Sequence, residues 1–170
     1  MNKCVFLDRD GVLNVERGDY TFLPEHFHII DGVPEALLAL KNAGFMLVVV
    51  TNQAGISKGV YTRAQMHACH AILMEKTAHL IDKIYYSSYH PVFSESLGRK
   101  PGTLMIEKAI ARFHIDPAAS WLVGDRCRDI ECGQKMHLTS ILIGEMESEK
   151  CVPDYMAKSL LEATRRVILK

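Results

Sequence analysis

The chain has no excess of charge of either sign, few aromatic residues and no long apolar run, and each shortage closes off a class of function. Its 20 basic residues balance 20 acidic ones, so bulk electrostatics offers nothing to a polyanion and no nucleic-acid partner is expected. No stretch approaches the roughly 20 consecutive apolar residues that a membrane span needs, so no membrane partner is expected either. Asp8 follows too soon after Met1 for a signal peptide to develop, which makes the cytoplasm the expected compartment. The cysteines (Cys4, Cys69, Cys127, Cys132 and Cys151) are odd in number and form no Cys-x-x-Cys pair, so reduced thiols are expected rather than a disulfide framework. Cys127, between Asp125 and Asp129, reads as a small packing residue.

What remains is 170 residues with 48% hydrophobic content, enough for one good core. A single domain over residues 1–170, acting as a monomer, is the expectation. Apolar runs at Cys4–Leu7, Phe45–Val50 and Trp121–Val123 break off in polar residues, as strands buried on both faces of a parallel sheet do. Thr139–Ile143 and Lys83–Tyr86 extend the set. Helical signatures alternate with these runs. Pro34–Ala43 carries Leu37, Leu38 and Leu40 with Gly44 as a stop, and Pro101–Phe113 repeats apolar residues at helical spacing. Capping boxes at Thr62-Arg63-Ala64-Gln65 and Ser159-Leu160-Leu161-Glu162 open two more helices. Strand and helix in alternation predict an α/β fold: a single, Rossmann-like, doubly wound parallel sheet. In such a sheet the ligand lies beyond the carboxyl ends of the strands, where the irregular stretches Glu16–Ile30 and Ser87–Arg99 also fall.

Asp8 and Asp10 leave the first strand at i and i+2, which in extended geometry places two acids over one spot. Such a pair needs a cation between its members, and Mg²⁺, a hard ion that keeps room for phosphate oxygens, suits it. Thr51 and Asn52 end the second strand, Asp125 and Asp129 follow the third, and Arg99-Lys100-Pro101 puts two cations ahead of a helix where a phosphate would be welcome. Singly, each has a bland reading as a turn aspartate, a strand-end hydroxyl or a surface lysine. Together, and in this order, they point to phosphoryl chemistry.

The four segments Asp8-Arg9-Asp10-Gly11-Val12-Leu13, Val50-Thr51-Asn52, Arg99-Lys100-Pro101 and Val123-Gly124-Asp125 with Asp129 resemble the signature motifs of the haloacid dehalogenase-like superfamily of aspartyl-phosphate phosphatases. That resemblance implies Asp8 as nucleophile, Asp10 as general acid and then base, and Thr51 and Lys100 as holders of the transferring phosphoryl group. It implies Mg²⁺ held by Asp8, Asp125 and the main-chain carbonyl of Asp10, with Asp129 behind them. Residues Asp8–Asn14, Glu16–Tyr20, Phe22–Gly32 and Thr51–Ile56 are similar to the branch containing the heptose 1,7-bisphosphate 7-phosphatases and the histidinol-phosphatases, and Ala54–Gly59 followed by Tyr61-Thr62 resembles the former more closely. By that likeness Glu16, Arg17, Gly18, Asp19, Asn52, Gln53, Ala54, Arg99 and Arg126 would bind a small phosphorylated metabolite. The gaps after Asn14 and Asn52 are too short for a large cap domain. Relatives in this branch often bind zinc through a C-x-H and C-x-C loop, whereas Ser87, Tyr89, Ser96 and Gly98 occupy the matching positions here. No structural zinc is expected, and the isolated His90 reads as a packing residue. A phosphate-binding module without turnover is the rival, opposed by the presence of both Asp8 and Asp10.

Overall fold

The computed structural model describes residues 1–146, 148 and 151–170. Its centre is a parallel sheet of β1 (Cys4–Leu7), β2 (Met46–Asn52), β3 (Lys83–Ser87), β4 (Trp121–Gly124), β5 (Thr139–Ile143) and β6 (Tyr155–Ala157), in the order β3-β2-β1-β4-β5-β6. All five pairings are parallel. The helices are α1 (Val33–Asn42), α2 (Arg63–Lys76), α3 (Leu104–Phe113), α4 (Cys127–Lys135) and α5 (Leu160–Ala163), the last continuing into wider turns over Thr164–Ile168. Helix packing on both faces forces every residue of β1 to be apolar and buried.

The period of two decides which side chain meets which helix. Val5, Leu7, Leu47 and Val49 face one core with Leu37 and Leu40 of α1, Leu73 of α2 and Leu160 of α5. Cys4, Phe6, Val48 and Val50 face the other, filled by Met105, Ile106 and Ala109 of α3 and Cys132 of α4. In α1 the buried positions Val33, Ala36, Leu37 and Leu40 follow i, i+3, i+4, i+7, with Pro34 in the first turn. The Thr62–Gln65 capping box at α2 is present in both directions: Thr62 Oγ1 accepts from the Gln65 N–H at 3.2 Å, and the Thr62 N–H donates to Gln65 Oε1 at 2.9 Å.

The doubly wound sheet is thus as the periodicity implies, with three local differences. The helix expected from Pro101 begins at Leu104, after the Thr103 cap. The last helix changes its hydrogen-bonding after Ala163. The short edge strand β6 has no counterpart in the expected elements; two of its three residues are exposed, so no apolar run announces it. The cysteine expectation is corrected. Cys127 and Cys151, with Cα atoms 5.2 Å apart, form a disulfide, while Cys4, Cys69 and Cys132 are buried free thiols. Tertiary folding alone joins positions separated by 24 residues, so no local spacing could have shown the pair. Among the described residues, no helix is long and apolar enough to cross a membrane.

Candidate active site

Register places the chemistry. Leu7 pairs with Val49 on one side and Val123 on the other, so the residues after these three strands emerge together at the carboxyl edge of the sheet. Asp8 is 5% exposed, and its N–H still donates to the Val123 carbonyl at 3.0 Å. Carboxylate oxygens of Asp8, Asp125 and Asp129 lie within 4.8 Å of one another. Asp129 is the third residue of α4, where its Oδ2 accepts from the Arg126 N–H at 3.1 Å and the helix dipole favours its charge.

Lys100 neutralises this cluster from below. Its Nζ lies 2.9 Å from Asp8 Oδ1 and 2.7 Å from Asp129 Oδ1, and it donates to the Val50 carbonyl at 2.7 Å, all with the lysine 1% exposed. Asn52 fixes the lysine backbone, donating from Nδ2 to the Lys100 carbonyl at 3.1 Å and accepting the Lys100 N–H at 3.0 Å. Burial opposes the ammonium, but Asp129 and Asp8 outweigh it and raise Lys100 above the usual lysine range. Burial pushes Asp8 up to about 7, Lys100 pulling against it while Asp129 and Asp125 add to the rise. Burial, with Asp129 beside it, lifts Asp125 to about 6.

Asp10 does not join this trio. Its carboxylate is gripped by the Arg9 guanidinium, with Nη2 donating to Oδ1 at 2.8 Å, by Asn14 Nδ2 at 2.9 Å and by Gln53 Nε2 at 3.2 Å. The same Gln53 amide donates to Thr51 Oγ1 at 2.9 Å, and Gln53 Oε1 accepts from the Tyr61 hydroxyl at 2.6 Å. Tyr61 is stacked on Phe22 with ring centroids 5.1 Å apart. The acid expected over the same spot as Asp8 is therefore the neighbour of Thr51 and Gln53, and the acids crowding Asp8 come from α4 and the turn before it.

Beside Asp8 and Asp10 opens a cavity of about 370 Å³. Of the expected substrate residues, Glu16, Gly18, Asp19, Asn52, Gln53 and Arg126 line it. Among the described residues, Arg17, Ala54 and Arg99 lie outside its wall: Arg17 is exposed, Ala54 is buried in the turn after β2, and Arg99 donates from Nη1 to the Tyr89 carbonyl at 3.3 Å. Arg9, Tyr20, Thr21, Tyr61 and Arg128 complete the lining and were not assigned to it from sequence. Arg128 lies one turn-step past Arg126 at the start of α4, and a helix N-terminus following a motif aspartate was the available signal. Hydrogen bonds within the Ser87–Gly98 loop include those from the Phe93 and Ser94 N–H groups to the His90 carbonyl at 2.9 and 3.1 Å and from the Gly98 N–H to Ser96 Oγ at 3.2 Å.

A sheet with a buried aspartate at the end of β1, a hydroxyl after β2, a buried lysine ahead of α3 and two aspartates around the start of α4 defines a hydrolase fold of one kind. The profile of the HAD-hydrolase-like family matches residues 97–163, and the chain belongs to that family, among its phosphatases. Along 98% of its length it is 36% identical to the D-glycero-D-manno-heptose-1,7-bisphosphate 7-phosphatase of Chlorobaculum tepidum, covering 94% of that protein. It is 37% identical to the D-glycero-beta-D-manno-heptose-1,7-bisphosphate 7-phosphatase of Haemophilus influenzae over 97% of this chain and 96% of that one. The fold is shared with the D,D-heptose 1,7-bisphosphate phosphatase of B. bronchiseptica, solved with magnesium and phosphate, at a TM-score of 0.86 and 24% identity, covering 95% of this chain and 96% of that one.

Proposed function

We propose that the whole chain is one Mg²⁺-dependent phosphomonoesterase domain that removes a phosphoryl group from D-glycero-D-manno-heptose 1,7-bisphosphate through an aspartyl-phosphate on Asp8. The observation that carries this reading is the buried Lys100 bridging Asp8 and Asp129 beneath an arginine-bearing cavity. Asp8, Asp125 and Asp129 suit a hard dication: their oxygens converge, and burial and mutual repulsion leave Asp8 and Asp125 short of positive charge. They, with the Asp10 carbonyl, would hold Mg²⁺, which supplies charge neutralisation for the transferring phosphoryl group.

The residues themselves do the remainder. An Asp8 carboxylate oxygen attacks phosphorus as the bond to the leaving oxygen breaks, and Asp10 protonates that oxygen. Thr51 accepts from Gln53, which leaves its own hydroxyl hydrogen for a phosphoryl oxygen, and Lys100 supplies positive charge alongside. Asp10 then takes a proton from the water that hydrolyses the acyl phosphate. Arg126, joined by Arg128 and with Arg99 behind them, suits the second phosphate, while Glu16, Asp19 and Gln53 suit sugar hydroxyls; Arg17 and Ala54 would act from outside the wall. A small anionic metabolite, a monomeric enzyme and a cytoplasmic setting complete the reading.

The test is phosphate release with Mg²⁺ from heptose 1,7-bisphosphate and from histidinol phosphate, with Asp8→Asn as control. The bisphosphate is expected to lead by about a hundredfold in kcat/KM, a gap of about 2.7 kcal/mol in transition-state binding. Preference for histidinol phosphate would overturn the substrate, and turnover surviving in Asp8→Asn would overturn the nucleophile.

A further inference from the structure

Arg9 is the largest fully buried side chain among the described residues, at 1% exposure, and the reaction set out above does not use it. A buried guanidinium is costly unless its donors are engaged. Nε lies 3.3 Å and 3.2 Å from the two Asp10 oxygens and Nη2 lies 2.8 Å from Oδ1, the forked geometry that fixes the plane of a carboxylate. Nη2 also donates to the Thr21 carbonyl at 2.9 Å, on the cavity wall, and the guanidinium carbon sits 5.4 Å from the Phe27 ring centroid. The backbone of the same residue serves the nucleophile, its N–H donating to Asp8 Oδ1 at 2.7 Å. Arg9 borders the cavity with almost no surface of its own, and its paired donors are spent on Asp10 and Thr21 while Nη1 has no partner among the described residues, so its effect on turnover is expected to pass through Asp10.

We propose that Arg9 is a positioning residue that holds the Asp10 carboxyl group in line for proton transfer and ties its placement to the Thr21 segment of the wall. The proposal rests on the reading of Asp10 as acid and base. In that step the phosphorus–oxygen bond to the leaving group breaks as the bond to Asp8 forms, and the Asp10 proton passes to the departing oxygen. Asp10 regains a proton from the water that attacks the acyl phosphate, so the cycle consumes one water and no other reactant. A sugar alkoxide is a poor leaving group and needs that proton, whereas nitrophenolate departs readily without it. Misplacing Asp10 therefore slows alkyl phosphates selectively, and loss of fold or of metal slows both alike.

The experiment is a double-mutant cycle of Arg9→Lys and Asp10→Asn, reading kcat/KM on heptose 1,7-bisphosphate and p-nitrophenyl phosphate, since kcat/KM reports the half-reaction in which the leaving group departs. Lysine keeps the charge and loses the fork. General acid catalysis contributes about 10²–10⁴-fold, so Arg9→Lys is expected to lower the sugar ester by about 30-fold or more and the nitrophenyl ester by less than about threefold. In the Asp10→Asn background Arg9→Lys is expected to add nothing. Equal losses on both esters, or a full further loss in that background, would overturn the proposal. Should Arg9→Lys fail to melt cooperatively, Asn14→Ala, which removes another donor to Asp10 Oδ1, runs the same cycle with a smaller loss of the same pattern. An Asp10→Asn enzyme slowed equally on both esters would instead sink the acid-base reading; a selective Asp10→Asn with an unselective Arg9→Lys overturns only the role of Arg9.

Discussion

Replacing Lys100 by methionine keeps most of the volume of the side chain and removes its charge from between two buried acids. Asp8 at 2.9 Å and Asp129 at 2.7 Å are then left without their shared cation, at 5% and 0% exposure. Breaking a buried ion pair from one side costs about 3–5 kcal/mol, and in a chain of this size each kcal/mol moves Tm by about 2–4 °C, so a fall of roughly 10 °C is expected near pH 8. The loss should shrink on acidification. A carboxyl group whose folded value stands above its unfolded one binds its proton more tightly in the fold, so its contribution is fully present below about 4 and disappears as pH rises through the folded value. Asp8 already stands at about 7 with the lysine in place, and without it the acids depend still more on protons. Thermal melts of both proteins at pH 5 and pH 8, with and without Mg²⁺, test this. The variant is expected to recover most of its deficit at pH 5 and to gain more from Mg²⁺ than the parent does. A deficit equal at both pH values and indifferent to Mg²⁺ would show that Lys100 matters for its packing and not as a counter-ion.

Tyr61→Phe removes the only donor described to Gln53 Oε1, a 2.6 Å buried bond, and leaves that oxygen unsatisfied among the described residues. The expected cost is about 1–3 kcal/mol in urea unfolding, accompanied by a fall in kcat as Gln53 loosens its hold on Thr51 and Asp10; unchanged stability would refute the link. Thiol titration of the denatured, unreduced protein should find only Cys4, Cys69 and Cys132. Reduction should then lower unfolding stability by about 3.5 kcal/mol, the loop-closure value for a bridge spanning 24 residues, and a Tm blind to reductant would contradict it.

Where the sequence spoke clearly, buried apolar runs did the speaking. β1, β2 and β4 carry continuous, mostly buried apolar runs suited to a sheet covered on both faces, and the residues that break them are the ones that reach the site. β6 is short, exposed at two of three positions and pairs only at the edge, so its pattern carried no signal. The Asp10 environment was illegible for another reason. Neighbours in an extended strand point to opposite faces, but the chain turns at Arg9–Asn14, where Leu13 and Asn14 N–H groups both donate to the Arg9 carbonyl, and the turn brings the adjacent Arg9 and Asp10 side chains together. Arg128 was not placed on the wall because its position depends on how α4 enters, and Tyr61, legible as part of a motif, was not tied to the site because its partner Gln53 lies across a turn whose shape Gly55 permits: a side chain there would strike the tyrosine ring.

Gly11 has φ +82°, and a methyl group built on it would overlap the Asp125 carboxylate. The turn carrying Asp10 and the turn carrying Asp125 are thus separated by a hydrogen atom and nothing more. In the proposed enzyme that closeness would favour a small ion: Mg²⁺ demands ligands at about 2.0–2.1 Å, whereas Ca²⁺ accepts about 2.3–2.6 Å and a looser shell. Any side chain at position 11 would have to push the Asp125 carboxylate away from the Asp10 turn, so the one residue there without a side chain is what lets the two turns meet.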